Sequence, residues 1–191
     1  MQLNLAGAFG LPVASRRRYL RDVNEPAGFT CSCCGEWHDE LPFAYHAAAP
    51  APWSPEMEAQ PGSVLGEEQC VIASEQFFVR AIIRLAVLDA ADSFEWGVWV
   101  ALDEVNFLRM NALWEVEGRE DEPPILGWLS SHLPVYEPTT LAHETSVHTQ
   151  PVGLRPLVEL APTQHPLAIE QREGIMLERV QEFAERLMHG V

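Results

Sequence analysis

The stretch Phe77–Leu102, FFVRAIIRLAVLDAADSFEWGVWVAL, decides the fold. Two runs rich in β-branched and aromatic residues, 77–88 and 94–102, flank a turn-like segment at 89–93. In each run apolar side chains recur at every second position, the period of a strand with one buried face. We therefore predict a long antiparallel hairpin. Its predicted core positions are Val79, Ala81, Ile83, Leu85 and Val87 in the first run and Phe94, Trp96, Val98, Val100 and Leu102 in the second, with Arg80 and Arg84 outside.

The remaining periodic segments place this hairpin in an α+β fold. Asp103 is a suitable N-cap for a helix over 104–117. A final helix is predicted over 166–188, with Pro166 in its first turn, and Gly174 leaves open its division into two. Further strands are predicted at 70–73, 125–129, 141–149 and 156–160. Together these elements predict an antiparallel sheet of about five strands and two main helices. A short metal-binding turn at 29–38, called the knuckle below, is predicted to pack at one side.

The chain divides into an N-terminal arm at 1–28 and one α+β domain at 29–191. Within that domain, 29–38 is the knuckle, and the proline-rich 42–62 is predicted to be a loop. The arm's arginines follow its apolar residues, the reverse of a secretory signal, and no apolar run is long enough to span a bilayer. We therefore expect a cytoplasmic protein with reduced thiols.

The segment Cys31–His38 has the sequence CSCCGEWH, in which C-x2-C is followed by x3-H. Two thiolates at this spacing bind one zinc ion through a tight turn. Cys31, Cys34, His38 and Cys70 would make a closed tetrahedral site, which indicates a structural zinc ion. Cys33 is expected to point away. The alternative is a set of ordinary reduced thiols beside an exposed histidine.

A possible ligand site combines Arg155, His165 and Glu170 near the start of the final helix, where an anion would bind favourably. The alternative is structural: His165 caps the helix, and Arg155 pairs with Glu170 or a backbone carbonyl. His143 and His148 resemble the H-E-x-x-H zinc motif but are one residue too far apart, and in a strand they would face opposite sides.

The formal net charge of −16 predicts an acidic surface, since 28 carboxylates face only 12 cations. This balance argues against general nucleic-acid binding, which requires a basic face. All 12 cations are arginine. The absence of lysine excludes Schiff-base chemistry and a Walker A phosphate loop. An acidic surface favours either simple solubility or association with a basic protein.

Several short motifs follow one another in a characteristic order and spacing over roughly 29–188. They are Phe29 with Cys31–His38, Cys70 leading into Phe77–Arg80, Trp96–Val100, Gly127–Leu129, Leu133–Tyr136, Arg155–Pro156, His165–Gln171 and Gly174–Ile175. In this order and spacing the chain resembles a bacterial family known as domain of unknown function 2199. The resemblance implies a cytoplasmic bacterial protein and carries no activity, ligand or partner.

Two functions compete on this evidence. The first is a zinc-stabilised binding or regulatory protein whose acidic surface engages another protein. The second is a small enzyme or anion-binding protein that uses Arg155, His165 and Glu170. Convergence of those three side chains in one pocket would favour the second function.

Overall fold

The structure is a computed structural model, and it describes residues 28–189. The strands in this range are β1 (Phe29–Thr30), β2 (Trp37–His38), β3 (Ala44–His46), β4 (Val64–Leu65), β5 (Gln69–Ile72), β6 (Gln76–Leu85), β7 (Phe94–Leu102), β8 (Ile125–Leu129), β9 (Glu144–His148) and β10 (Leu157–Leu160). The α-helices are α1 (Glu104–Leu113), α2 (Pro166–Glu173) and α3 (Leu177–His189), and short 3-10 helices lie at Pro55–Ala59 and Arg119–Asp121. Apart from Gly28, the predicted arm at 1–28 lies outside the described range.

The predicted hairpin is confirmed as β6 and β7. They pair antiparallel in unbroken register from Phe77 opposite Leu102 to Leu85 opposite Phe94. The alternate residues named as core positions are all buried in the main hydrophobic cluster, because strand side chains point alternately to the two faces of the sheet. Arg84 lies outside that cluster and forms an ion pair with Glu95 on the neighbouring strand.

Five strands close into a barrel. β7, β8, β9 and β10 pair antiparallel in that order. β10 then returns beside β6, parallel to it, with Leu157 opposite Ile82. The prediction of an antiparallel sheet of about five strands is therefore wrong in two respects. Within residues 28–189 the main sheet has eight strands and includes parallel pairs, and five of its strands form a closed ring.

The two long strands each carry an additional branch of the sheet. The first half of β6 pairs with β5, which pairs in turn with β4. The first half of β7 pairs in parallel with β3. β3 lies inside the 42–62 segment that was predicted to be a loop. Its three residues are too few for a periodic pattern, and flanking prolines at 42 and 50 conceal it in the sequence.

The described residues contain three α-helices: the two that were predicted, the second of them divided in two, an alternative that the sequence left open. Asp103 caps α1 as expected, because its carboxylate accepts from the backbone N–H of Asn106 at 2.7 Å. The final helix is divided at Gly174, whose φ of 81° no other residue adopts easily. The next residue, Ile175, then forms an isolated parallel bridge with Val87. No helix between residues 28 and 189 has both the length and the apolar character needed to cross a bilayer.

Arg119 is a buried cation that the sequence patterns did not single out. Only 2% of it is exposed, and its guanidinium donates to the backbone carbonyls of Trp114, Gln150, Pro151 and Leu154. The guanidinium fork suits such a cluster of acceptors because its five N–H donors have a fixed planar geometry. Arg119 therefore connects the end of α1 to the loop between β9 and β10.

We predict that Arg119→Ala lowers the free energy of unfolding by about 3 kcal/mol, because four backbone carbonyls lose their charged donor at once. Arg119→Lys should recover part of this loss, since an ammonium has fewer donors and no fork. Urea unfolding measures both effects. The control is Arg109→Ala, which removes a half-exposed pair with Glu122 and should cost at most about 1 kcal/mol. Equal costs for Arg119→Ala and Arg109→Ala would contradict this role.

Candidate metal centre

A tight turn between β1 and β2 forms the knuckle. The two strands pair antiparallel, with Phe29 opposite His38. Within the turn, the Cys31 N–H donates to the carbonyl of Glu36, and the Gly35 N–H donates to the carbonyl of Cys31, both at 2.9 Å. Gly35, directly after Cys34, has a φ of 73°, a positive value that glycine adopts without strain. This turn brings Cys31, Cys34 and His38 to one end of the hairpin.

The C-terminal helix α3 docks against the knuckle. Gln181, Glu185 and His189 recur every four residues and therefore share one helix face. Glu185 accepts from the backbone N–H of Ser32 at 2.7 Å and from its hydroxyl at 2.5 Å. Gln181 donates to the carbonyl of Thr30 at 3.2 Å. These contacts hold the last turn of α3, with His189, beside the cysteines.

Four donor atoms converge at this junction. One atom each from Cys31, Cys34, His38 and His189 lies within 4.8 Å of the other three. Sγ of Cys34 and Nε2 of His38 are 3.7 Å apart. A thiolate and an imidazole bound tetrahedrally to one zinc ion are about 3.6 Å apart, given bond lengths of about 2.3 and 2.05 Å. The residues therefore fit a zinc ion, with both thiols contributed by the knuckle.

The surroundings of the thiols influence their protonation. Desolvation raises the pKa of the buried Cys31, but hydrogen bonds from the backbone N–H groups and the thiols of Cys34 and Cys33 together outweigh it and lower the pKa to about 6. The backbone N–H of Glu36 lowers the pKa of Cys34, whereas desolvation and the Cys31 sulfur raise it, and the raising effects prevail. Two thiolates this close repel each other, and a divalent cation between them would offset that repulsion.

Cys70 does not belong to this group, contrary to its predicted role as the fourth ligand. It is fully buried in β5, in a separate apolar cluster with Ile72, Phe78 and Trp99, and burial raises its pKa to about 11. His189 lies where Cys70 was expected. Its only signal in the sequence is the four-residue spacing from Glu185, because the knuckle that it meets is far away along the chain.

The candidate ligand residues Arg155, His165 and Glu170 are each engaged with other groups. Arg155 pairs with both carboxylate oxygens of Glu68, with its closest contact at 2.6 Å, and not with Glu170. His165 caps α2 as the structural alternative expected: its Nδ1 accepts from the Leu167 N–H at 3.2 Å. The other ring nitrogen of His165, Nε2, lies 2.8 Å from the carbonyl of Pro138.

Glu170 instead connects α2 to Tyr136, in the segment between β8 and β9, and to Arg179 of α3. Its carboxylate accepts from the hydroxyl of Tyr136 at 2.6 Å and from the guanidinium of Arg179 at 2.8 Å. The ring of Tyr136 also lies against that of His165, with the centroids 6.2 Å apart. Glu170 and His165 therefore contact the same tyrosine, while Arg155 takes part in a different interaction with Glu68.

The two histidines of the H-E-x-x-H-like stretch do not form a metal site together. His143 precedes β9 and packs on the ring of His165, with the centroids 4.2 Å apart. His148 ends β9 and lies 3.4 Å from the carboxylate of Glu159. Desolvation lowers the pKa of His143, and the electrostatic effect of the neighbouring His165 lowers it further.

The lowered pKa of His143 predicts an acid-sensitive contribution to stability. When the pH falls below 6.5, the value for a free histidine, the unfolded chain takes up a proton at this position that the folded chain resists. Stability should therefore fall with decreasing pH. In His143→Gln this part of the loss should disappear. The free energy of unfolding, measured with urea, should therefore fall less steeply with decreasing pH than in the unmodified protein. Identical pH profiles for both proteins would refute the prediction.

Comparison with known proteins supplies one match. No curated protein sequence and no solved structure matches the chain. A family profile described as "uncharacterized protein conserved in bacteria" (DUF2199) matches residues 30–175, from the knuckle to the residue after Gly174. His189 lies beyond the matched range. Because the match covers most of the chain, the protein belongs to this bacterial family, domain of unknown function 2199.

Proposed function

We propose that the chain holds one structural zinc ion through Cys31, Cys34, His38 and His189. One observation carries the proposal: four donor atoms from opposite ends of the described chain lie within 4.8 Å of one another. Two sulfur and two imidazole ligands are a common tetrahedral set for structural zinc. Four protein ligands leave no open position for a substrate or water, so the ion stabilises the fold and supplies no chemistry.

The knuckle needs this ion because it has little core of its own. Its two strands contain two residues each, and its apolar cluster consists of Phe29, Cys31 and Ala184 with Leu41 packed against it. So small a cluster contributes little hydrophobic stabilisation. Zinc binding adds free energy that is available only in the folded arrangement. The ion therefore ties the knuckle to α3, and a reducing cytoplasm would keep the thiols available for it.

We further propose that the zinc-stabilised domain is a binding or regulatory protein whose partner is a basic protein. The support is electrostatic. The net charge is −16, and four arginines already pair with carboxylates: Arg84, Arg109, Arg155 and Arg179. These pairs leave the unpaired carboxylates to dominate the surface field, which repels nucleic acid and attracts a basic protein surface.

The competing proposal, an enzyme or anion-binding protein using Arg155, His165 and Glu170, has less support. Each of the three already makes hydrogen bonds within the fold, to Glu68, to Pro138 and Leu167, and to Tyr136 and Arg179. An anion would have to displace Glu68 from Arg155. We therefore favour the binding role.

We expect protein purified without chelator to contain about one zinc ion per chain, since a closed site exchanges its metal slowly. Cys34→Ser and His189→Ala should each lose most of the metal, and both should expose the knuckle to protease. Elemental analysis and limited proteolysis measure these effects. The matched control is Cys70→Ala, which should keep its zinc because Cys70 lies in a separate cluster. Zinc loss in Cys70→Ala but not in His189→Ala would refute the ligand set.

Association with a basic protein predicts complexes that dissociate in salt. Tagged protein captured from a nuclease-treated bacterial lysate should retain basic proteins at low salt. It should release them at about 1 M salt, where the Debye length falls to about 3 Å. A purified candidate should then show the same salt dependence by calorimetry. Partners that resist high salt, or capture that requires nucleic acid, would contradict the electrostatic proposal.

A further inference from the structure

A third cysteine lies within the knuckle but outside the set of four ligands. Cys33 is exposed to solvent, whereas its neighbour Cys31 is buried. The two Sγ atoms are 3.5 Å apart. Cys33 is not a member of the group whose donor atoms all lie within 4.8 Å of one another. A reagent in solution can therefore reach the Cys33 sulfur, which is in contact with the Cys31 sulfur of the proposed zinc site.

We propose that Cys33 is a site of oxidation by hydroperoxides, and that the product is a Cys31–Cys33 disulfide which expels the metal ion. This inference rests on the proposed zinc site. It assigns Cys33 a role of its own, because the ion has four ligands without it. Exposure and an adjacent cysteine that can form a disulfide are two features of redox-sensitive cysteines.

The reaction balances in two steps. The Cys33 sulfur attacks one peroxide oxygen, the O–O bond breaks, and a sulfenic acid forms with release of an alcohol, or of water when the oxidant is hydrogen peroxide. The Cys31 sulfur then attacks the Cys33 sulfur, the S–S bond forms, the S–O bond breaks, and water leaves. The two sulfurs together lose two electrons, and the hydroperoxide gains them. Cys33 supplies one proton, and solvent supplies the other in place of the zinc that leaves Cys31.

Disulfide formation would open the junction between the knuckle and α3. Cys31 cannot bind zinc as a thiolate once it forms a disulfide, so Cys34, His38 and His189 remain as three ligands. The apolar contact of Cys31 with Ala184 would also be disturbed. Thiol reductants would reverse the change, since this oxidation stops at the disulfide. The metal junction would thereby respond to oxidants.

The test uses the zinc-loaded full chain treated with hydrogen peroxide, with a chromogenic chelator reporting released zinc. The unmodified protein should release zinc in step with the loss of two thiols. Cys33→Ser should bind zinc normally and release it about tenfold more slowly, because oxidation must then begin at a zinc-bound sulfur. Cys70→Ala is the matched control and should behave as the unmodified protein. Equal release rates for Cys33→Ser and the unmodified protein would overturn the inference.

Peptide mapping after differential alkylation provides a second measurement. It should find Cys31 joined to Cys33, with Cys34 alkylated. A Cys31–Cys34 disulfide with Cys33 alkylated would overturn the inference even if zinc were released. The structural zinc ion and the oxidation at Cys33 can be refuted independently of each other. Protein that contains no zinc would refute the structural zinc ion, and mapping of the metal-free protein would still establish which cysteines form the disulfide.

Discussion

Nine consecutive residue pairs between β6 and β7, from Phe77 opposite Leu102 to Leu85 opposite Phe94, constrain the rest of the sheet. Long strands twist, so a neighbour that follows one half of such a strand diverges from the other half. β6 accordingly pairs with β5 along its first four residues and with β10 further on, at Ile82. β7 pairs with β3 near its start and with β8 near its end. The barrel and its branches both follow from this divided pairing.

The barrel positions the candidate metal centre through α3. Phe183 of this helix packs on the rings of Phe94, Trp96 and Tyr136, at centroid distances of 5.1 to 5.7 Å. The adjacent Ala184 faces the knuckle cluster instead. One side of α3 therefore belongs to the main core and the neighbouring side to the knuckle. Residues separated by one turn share a side, which is why the core fixes the direction in which His189 points.

The sequence predicted the parts of the fold that depend on local periodicity. Strict alternation identified β6 and β7, and Asp103 marked the start of α1. Barrel closure was not predictable in this way, because alternation specifies which face of a strand is buried but not which strand lies beside it. β10 has only four residues, and nothing in them distinguishes parallel from antiparallel pairing.

The candidate site was predictable to a similar extent. The C-x2-C-x3-H spacing is local, and it correctly brought three donors together. The fourth depends on how α3 docks, so spacing along the chain could not identify His189. Cys70 was predicted as the fourth donor, but it lies outside the group of four and shares the buried face of β5 with Ile72, a position typical of a core thiol.

The division of α3 between two cores determines how far a change at the metal centre can spread. Val180 and Phe183 are fully buried in the main cluster, and Arg179 of the same turn pairs with Glu170 of α2. These contacts are independent of the cysteines. Among residues 28–189, the knuckle contacts α3 through Glu185, Gln181 and its small apolar cluster, and the four donors of the proposed zinc site lie at the same junction. Because the anchored turn precedes the turn that carries His189, loss of the metal would free the knuckle and the end of α3 while the barrel stays folded.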